Sequence, residues 1–281
     1  MLSYRHAFHA GNHADVLKHC LLVAMLRHLN NKDKPWWYVD THAGAGIYDL
    51  DAAHARKTAE FETGIARLWE RSDLPEMVAD YVAMVRDLNP NGTLRLYPGS
   101  PWLASRIMRP GDQMRLFELH STDVQLLRHT FSESSRHIKA EATDGFLGLK
   151  AVLPPQPKRG LILIDPSYEI KDDYRREIAA LKDSLARFPT GTYAVWYPML
   201  QRDEARQLPE KLKRLPVTSW LHASLTVQTP SKEGFGMHGS GLFVVNPPWQ
   251  LADNLKAVMP WLVQVLGQDG GATYRLEQKT D

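Results

Sequence analysis

Asp165, Pro166 and Tyr168 stand together directly after the apolar run 161–164, Leu-Ile-Leu-Ile. A run of that length without polar alternation reads as a strand covered on both faces of a sheet. Asp165 is then placed at the strand's carboxyl end, where open α/β sheets keep their ligand crevice. Pro166 holds Asp165 extended and cannot continue the ladder, so Ser167 and Tyr168 follow as a turn. A carboxylate, a peptide carbonyl and an aromatic ring would share one small volume. The same residues also suit a plain capped turn with Tyr168 packed on a neighbouring helix.

The elements that must position this group repeat its pattern. A strand over 36–39 ends at Asp40 and leads into Thr-His-Ala-Gly-Ala-Gly, with glycines at Gly44 and Gly46. The third glycine of a dinucleotide fingerprint would fall where Asp49 stands, and no Gly-Lys-Ser/Thr of a phosphate loop follows. A nicotinamide dehydrogenase is thereby disfavoured. A strand over 115–119 carries Glu118, far beyond the roughly 20 residues of a plain βαβ unit, and two amphipathic helical runs between about 50 and 89 account for the excess. Pro98, Gly99 and Ser100 form a turn before a short helix, whose amides and hydroxyl suit a polar or anionic group. A weak strand over 137–142 precedes Asp144 and Gly145. Four strands thus end on acidic residues. An acid after the second strand suits ribose hydroxyls, and a glycine loop allows close approach of a ligand to the backbone.

Residues 1–12, with Tyr4, Arg5, His6, Phe8 and His9, form an arm too polar for the core. An amphipathic helix over about 13–29 follows, with Asn12 as N-cap. His9, His13 and His19 raise a metal reading, but no carboxylate or thiol spacing completes a shell. Lys18 and His19 presented to a polar or anionic ligand is the better expectation. Helices and strands then alternate to a total of about seven strands. The last two, over 220–228 and 242–246, suit an antiparallel pair at the sheet edge, and the polar tail after Gly267 is expected to fray.

The 281 residues are 43% hydrophobic and 23% charged, ordinary for a globular chain. A net charge of +2 and a pI near 8.5 permit a polyanionic partner without indicating one. One cysteine, Cys20, excludes an internal disulfide and any multi-cysteine metal site. With no apolar leader and no run of 18 apolar residues, a cytoplasmic protein without membrane contact is expected.

A glycine loop with acidic strand ends resembles the class I S-adenosylmethionine-dependent methyltransferases. Asp165-Pro166-Ser167-Tyr168 is similar to the (D/N)PP(Y/F/W) motif of those that act on amino groups. The blocks YRHAFHAGNHADVLKH, DTHAGAG, YPGSP, ELH, DGF, LILIDPSYE, AVWYP and NPPW, in this order, resemble the bacterial 23S rRNA adenine-N6 methyltransferases over essentially the whole chain. The resemblance implies a Rossmann-like α/β domain over 1–281: a mostly parallel seven-stranded sheet with helices on both faces, an N-terminal arm and helix over 1–30, and a helical insertion over about 50–95. It implies a methyl donor, S-adenosyl-L-methionine, held by His19, His42, Ser100, Glu118, Asp144, Gly145 and Asp165. Asp165 would be the proton acceptor, Pro166 would lend its carbonyl to the target amine, and Tyr168 would stack on the flipped base. Tyr4, His6 and Lys18 would lie on the RNA side. The expected partner is 23S rRNA and the expected state a monomer, with no metal. Ser167 departs from the motif's second proline. DNA adenine or a protein amide as substrate, and an inactive RNA-binding factor, remain as alternatives.

Overall fold

The structure, a computed structural model, describes residues 5–134 and 136–280. In chain order the elements are α1 (His13–Leu29), β1 (Trp37–Asp40), β2 (Ile47–Asp49), α2 (Ala53–Thr58), α3 (Ala66–Trp69), α4 (Glu76–Asp87), β3 (Leu96–Pro98), α5 (Ser100–Ile107), β4 (Gln113–Phe117), α6 (Ser121–Thr130), β5 (Ile138–Glu141), α7 (Gly145–Val152), β6 (Gly160–Ile164), α8 (Asp172–Arg187), β7 (Thr192–Met199), α9 (Asp203–Lys213), β8 (Trp220–Thr226), β9 (Gly239–Val245), α10 (Leu251–Leu266) and β10 (Thr273–Lys279). The main sheet has the order β10-β8-β9-β7-β6-β1-β4-β5. From β7 to β5 the strands are parallel, while β9, β8 and β10 join antiparallel.

The chain leaves β1 first toward β4 and β5, then returns to lay β6 on β1's other side. That reversal opens a crevice at the carboxyl ends of β1, β4 and β6. Side-chain alternation along the strands splits the core in two. Tyr38, Leu161 and Leu163 pack with α1, α4, α5 and α10. Val39, Ile162 and Ile164 face the other way, toward Phe146 and Leu149 of α7, Leu181 of α8 and Leu208 of α9.

Helix α1 differs from the amphipathic helix expected. Asn12 caps it, its Oδ1 accepting from the amides of Ala14 and Asp15 at 3.0 Å each. The body is buried on nearly every side, Asp15, Lys18 and His19 included. Charged residues tolerate such a place only when paired, and these are.

The arm is also closer to the core than its polarity suggested. Ala7, Ala10 and Asn12 are buried. The segment between β2 and β3 grips it: Glu60 accepts from Asn12 Nδ2 at 2.9 Å and bonds His9 at 2.8 Å, and the Ile65 amide donates to the Gly11 carbonyl at 2.8 Å. Strands β2 and β3 pair antiparallel outside the main sheet, so helices α2 to α4 leave and re-enter the sheet alternation through one short ribbon.

The strand count is corrected from seven to eight in the main sheet, plus this ribbon. The added strand is the tail: Thr273 to Lys279 pairs along all of β8, so the β8–β9 pair is one strand in from the edge. Its backbone pairs while most of its side chains face solvent, which removes the apolar alternation that reveals a strand in sequence. Among the described residues no helix is long and apolar enough to cross a membrane.

Candidate active site

The crevice holds a cavity of about 300 Å³ at the carboxyl ends of β1, β4, β5 and β6. Its walls come from the loop after β1 (Thr41 to Gly44), the start of α5 (Ser100), the residues after β4 (Glu118 to His120), the start of α7 (Asp144, Gly145), the turn after β6 (Asp165 to Ser167) and α1 (Lys18, His19), with His6 from the arm.

At its centre Lys18 donates to Asp165 Oδ2 at 2.6 Å and lies 2.9 Å from Asp15 Oδ1. Burial works against the ammonium, yet the two carboxylates outweigh it and hold its pKa above the ordinary lysine value. Asp15 is in turn served by the Gly11 amide at 2.9 Å and by His6 Nε2 at 2.8 Å. Burial opposes its charge too, but His6, Lys18 and His19 prevail and keep its pKa well below the usual carboxylate range. The arm, α1 and the β6 turn are therefore joined by one chain of polar contacts, His6–Asp15–Lys18–Asp165. Lys18 also lies 5.5 Å from the Trp196 ring centre, a cation–π distance.

The β1 loop is shaped from beneath by Asp40, which is fully buried and takes no part in lining the cavity. Tyr38 and Ser100 hydroxyls donate to its Oδ2 at 2.7 Å each, and the His42 amide to Oδ1 at 3.2 Å. Burial raises its pKa despite these partners. Ser100 lines the cavity as expected, but its hydroxyl proton is committed to Asp40. Gly44 stands at φ 61°, in the left-handed region, and a Cβ there would lie 2.1 Å from the Tyr48 hydroxyl. At Gly145 a Cβ would lie 1.9 Å from the Thr41 carbonyl, so the β5 and β1 loops touch only because no side chain intervenes.

Glu118 accepts from the Gly44 amide at 2.8 Å and from the His120 amide at 2.7 Å, and burial raises its pKa. Asp144 caps α7 through the amides of Phe146 and Leu147 and takes an ion pair from Arg176. Burial opposes its charge, but the Arg176 hydrogen bond and charge together with the two capping amides outweigh it and lower its pKa. Arg176 in turn lies over the Phe146 ring at 4.9 Å. His42 bonds Thr41 Oγ1 at 2.8 Å and burial pushes its pKa down to about 4; His19 bonds and stacks on Tyr97, and burial takes it to about 3. Both imidazoles are neutral at pH 7. His9, His13 and His19 do not converge: among the described residues no group of three or more His, Cys, Asp or Glu could hold a metal ion.

Tyr168 is the main departure from expectation. Its ring does not face the cavity; it is 1% exposed and packs 4.6 Å from the Tyr174 ring, centre to centre. The residue stands at φ 54°, which turns the side chain under the β6 turn, and the Arg202 guanidinium donates to its carbonyl at 3.2 Å. Its hydroxyl lies 2.5 Å from both the Trp196 carbonyl and Glu177 Oε2. A phenol has one proton to donate, and Glu177 is wholly buried, with burial pushing its pKa well up. That proton is shared between Glu177 Oε2 and the Trp196 carbonyl, and burial favours the uncharged form of Glu177. In this conformation the ring clamps the turn from below, and stacking on a base is not available to it.

Of the residues singled out from sequence, His6, Lys18, His19, His42, Ser100, Glu118, Asp144, Gly145, Asp165 and Pro166 all line the cavity. Tyr4 lies outside the described residues. Sequence reasoning missed Asp15, Thr41, Tyr48, Asp173, Arg176 and Glu177. Asp15 was detectable as the i,i+3 partner of Lys18 on a helix; Arg176 and Glu177 reach the site from α8 and carry no local signal.

A strand order that reverses at β1, a glycine loop after that strand and acidic side chains following β1, β4, β5 and β6 define a Rossmann-like methyltransferase fold. Residues 33–277 match the model of a family described as ribosomal RNA large subunit methyltransferase D, RlmJ. The chain is 47% identical over 262 residues to the ribosomal RNA large subunit methyltransferase J of Escherichia coli strain K12, covering 93% of each chain. It is 43% identical over 278 residues to the protein of the same name from Haemophilus influenzae, covering 99% and 98%. The crystal structure of protein LPL1258 from Legionella pneumophila, 36% identical, superposes with a TM-score of 0.89 over 97% of this chain and 99% of that one. The chain belongs to the RlmJ family of ribosomal RNA large subunit methyltransferases.

Proposed function

We propose that this chain transfers a methyl group from S-adenosyl-L-methionine to the N6 amine of one adenosine in 23S rRNA. The observation that carries the reading is the Asp165–Pro166 turn, set against Lys18 at 2.6 Å and opening into the same cavity as the β1 glycine loop, Glu118 and Asp144. Family membership and the names of the two curated relatives support the ribosomal RNA substrate.

The cavity fits the donor by its chemistry. Glu118, Asp123, Asp144, Asp165 and Asp173 line it against Lys18 and Arg176, an acidic excess that favours a sulfonium cation. Its volume lies at the small end of ligand sites, about 300 to 1,000 Å³. Glu118 and Asp144 would take hydroxyl and amino groups of the donor, and the glycine loop its close approach. Bound there, the donor supplies an electrophilic methyl group.

An exocyclic adenine amine is a weak nucleophile because its lone pair is conjugated into the ring. Two acceptors must hold its hydrogens while the lone pair turns toward the methyl carbon. Asp165 and the Pro166 carbonyl are the pair at hand. A carboxylate has about four acceptor positions, so Lys18 on Oδ2 leaves room for the amine. Asp165 is then the acceptor for the amine proton released on methylation. The clamp beneath the turn, Tyr168 with Glu177, holds the Pro166 carbonyl in place, and Ile170, 52% exposed at the cavity wall, offers the base an apolar face. Extracting a base from structured RNA costs a few kcal/mol. Tyr4 and His6 of the arm would contribute on the RNA side.

Purified protein should transfer label from the donor to 23S rRNA of a strain lacking this modification, with the label recovered as N6-methyladenosine after digestion. Label in another nucleoside, preferential transfer to DNA or a protein amide, or no transfer would overturn the reading.

A further inference from the structure

At the opposite edge of the sheet, where the parallel strands begin, lies a second cavity of about 660 Å³. Gly160 and Thr192, the first residues of β6 and β7, form its floor. Because β9 is antiparallel, its exit Asn246-Pro247-Pro248-Trp249 arrives at this edge and not at the catalytic one. Trp249 is 76% exposed, unusual for a side chain that buries 150 to 250 Å² when packed. The turn presenting it is firmly held: Asn246, at φ 52°, donates its side-chain amide to the carbonyls of Pro189 and Gly191 at 2.8 Å each.

The facing wall is cationic. Arg109 and Arg159 both donate to the carbonyls of Lys32 and Lys34, so these two guanidinium groups fix the loop before β1. Lys32, Lys34 and Lys158 line the cavity, are exposed, and make no ion pair among the described residues. Elsewhere surface cations commonly have acidic partners, as in Arg27–Asp80, Arg187–Asp183 and Lys256–Asp253. His28, on the same wall, has its pKa lowered by burial and further by Arg159 and Lys32, consistent with a positive local field. Asp33, also exposed, is not part of the lining.

An exposed indole on a fixed turn beside three unpaired ammonium groups is the combination that single-stranded nucleic acid uses, with a base stacked on the ring and phosphates on the cations. We propose that this cavity is a second RNA site, taking an unpaired stretch of the substrate RNA away from the target adenosine. It rests on the reading of the chain as an RNA methyltransferase. The five residues of β6 separate it from Asp165 by roughly 17 Å, so one RNA of modest size can engage both edges.

The test compares Trp249→Ala and Lys34→Gln/Lys158→Gln with the wild type. All three residues are exposed, and none belongs to the catalytic cavity. Affinity is measured by filter binding for a long 23S rRNA fragment and for a short fragment holding the methylated adenosine, across a salt series, with methyl transfer to the short fragment assayed in parallel. Trp249→Ala should weaken binding of the long fragment about 5- to 150-fold. The lysine pair should reduce its salt slope by about 1.4. Methylation of the short fragment should be unchanged in both. Equal affinity and slope for all three proteins on the long fragment would overturn the site, as would capture of an acidic peptide instead. Absence of methyl transfer by the wild type to either RNA would overturn the functional reading itself.

Discussion

Replacing Lys18 by methionine removes the cation between two buried carboxylates while keeping a flexible side chain of similar length. Lys18 lies 2.9 Å from Asp15 and 2.6 Å from Asp165, with side-chain exposures of 5%, 1% and 13%. Breaking a buried pair by removing one partner costs about 3 to 5 kcal/mol, because a charge is left uncompensated. Asp15 retains His6 and the Gly11 amide, and Asp165 has some access to water, so the lower end, about 3 kcal/mol, applies. That is a large share of a domain's usual 5 to 15 kcal/mol. The pH dependence follows from the signs. Lys18 has a raised pKa, so its own contribution is full below the ordinary lysine value and constant between pH 5 and 7. Asp15 has a depressed pKa, so its contribution is present above the ordinary aspartate value and is lost as pH falls through the folded one. Without Lys18 the Asp15 carboxylate takes up its proton at higher pH, and the stability gap to the wild type should narrow from pH 7 to pH 5. Urea unfolding at the two pH values measures it. A gap below about 1 kcal/mol at pH 7, or the same gap at both, would refute the buried-charge reasoning.

Gly145→Ala should disrupt the contact between the β5 and β1 loops, costing about 1 to 3 kcal/mol for overpacking, and should weaken donor binding by calorimetry; unchanged donor affinity and unfolding midpoint would contradict the close approach. Glu177→Gln keeps the shape and an acceptor oxygen for Tyr168 but removes the titrating group. The raised pKa of Glu177 makes wild-type stability fall as pH rises from the ordinary glutamate value toward the folded one. The glutamine variant should therefore show a flatter urea midpoint between pH 5 and 8, and an equal slope in both proteins would remove Glu177 from the clamp as a neutral acid.

The strand ends were legible because burial leaves a mark in sequence. The Leu-Ile run before Asp165 reads as a central strand, and β6 is buried along all five residues. What sequence hides is direction. Asn246-Pro247-Pro248-Trp249 fits the amino-methyltransferase motif at all four positions and Asp165-Pro166-Ser167-Tyr168 at three, yet β9 runs antiparallel and delivers its tetrapeptide to the wrong edge. Ser167 lines the cavity and is half-buried, so the motif's second proline position is one where a small polar residue fits. The orientation of Tyr168 was equally hidden, since a tetrapeptide does not state φ, and the buried acid that receives the ring comes from α8. Helix α1 read as amphipathic, with Lys18 and His19 turned toward a ligand; apart from the Asp15–Lys18 pair within the helix, their partners lie outside it, on the arm, the β6 turn and Tyr97. The tail strand β10 pairs through its backbone at an edge, where polar side chains are the rule.

The account turns on Asp165 as the acceptor that orients the target amine. Asp165→Asn keeps the shape but replaces one acceptor oxygen with an NH₂ group that opposes an amine. Single-turnover methyl transfer to unmodified 23S rRNA should fall at least roughly 100-fold, while the protein stays folded and retains the RNA. Transfer at the wild-type rate by this variant would contradict it.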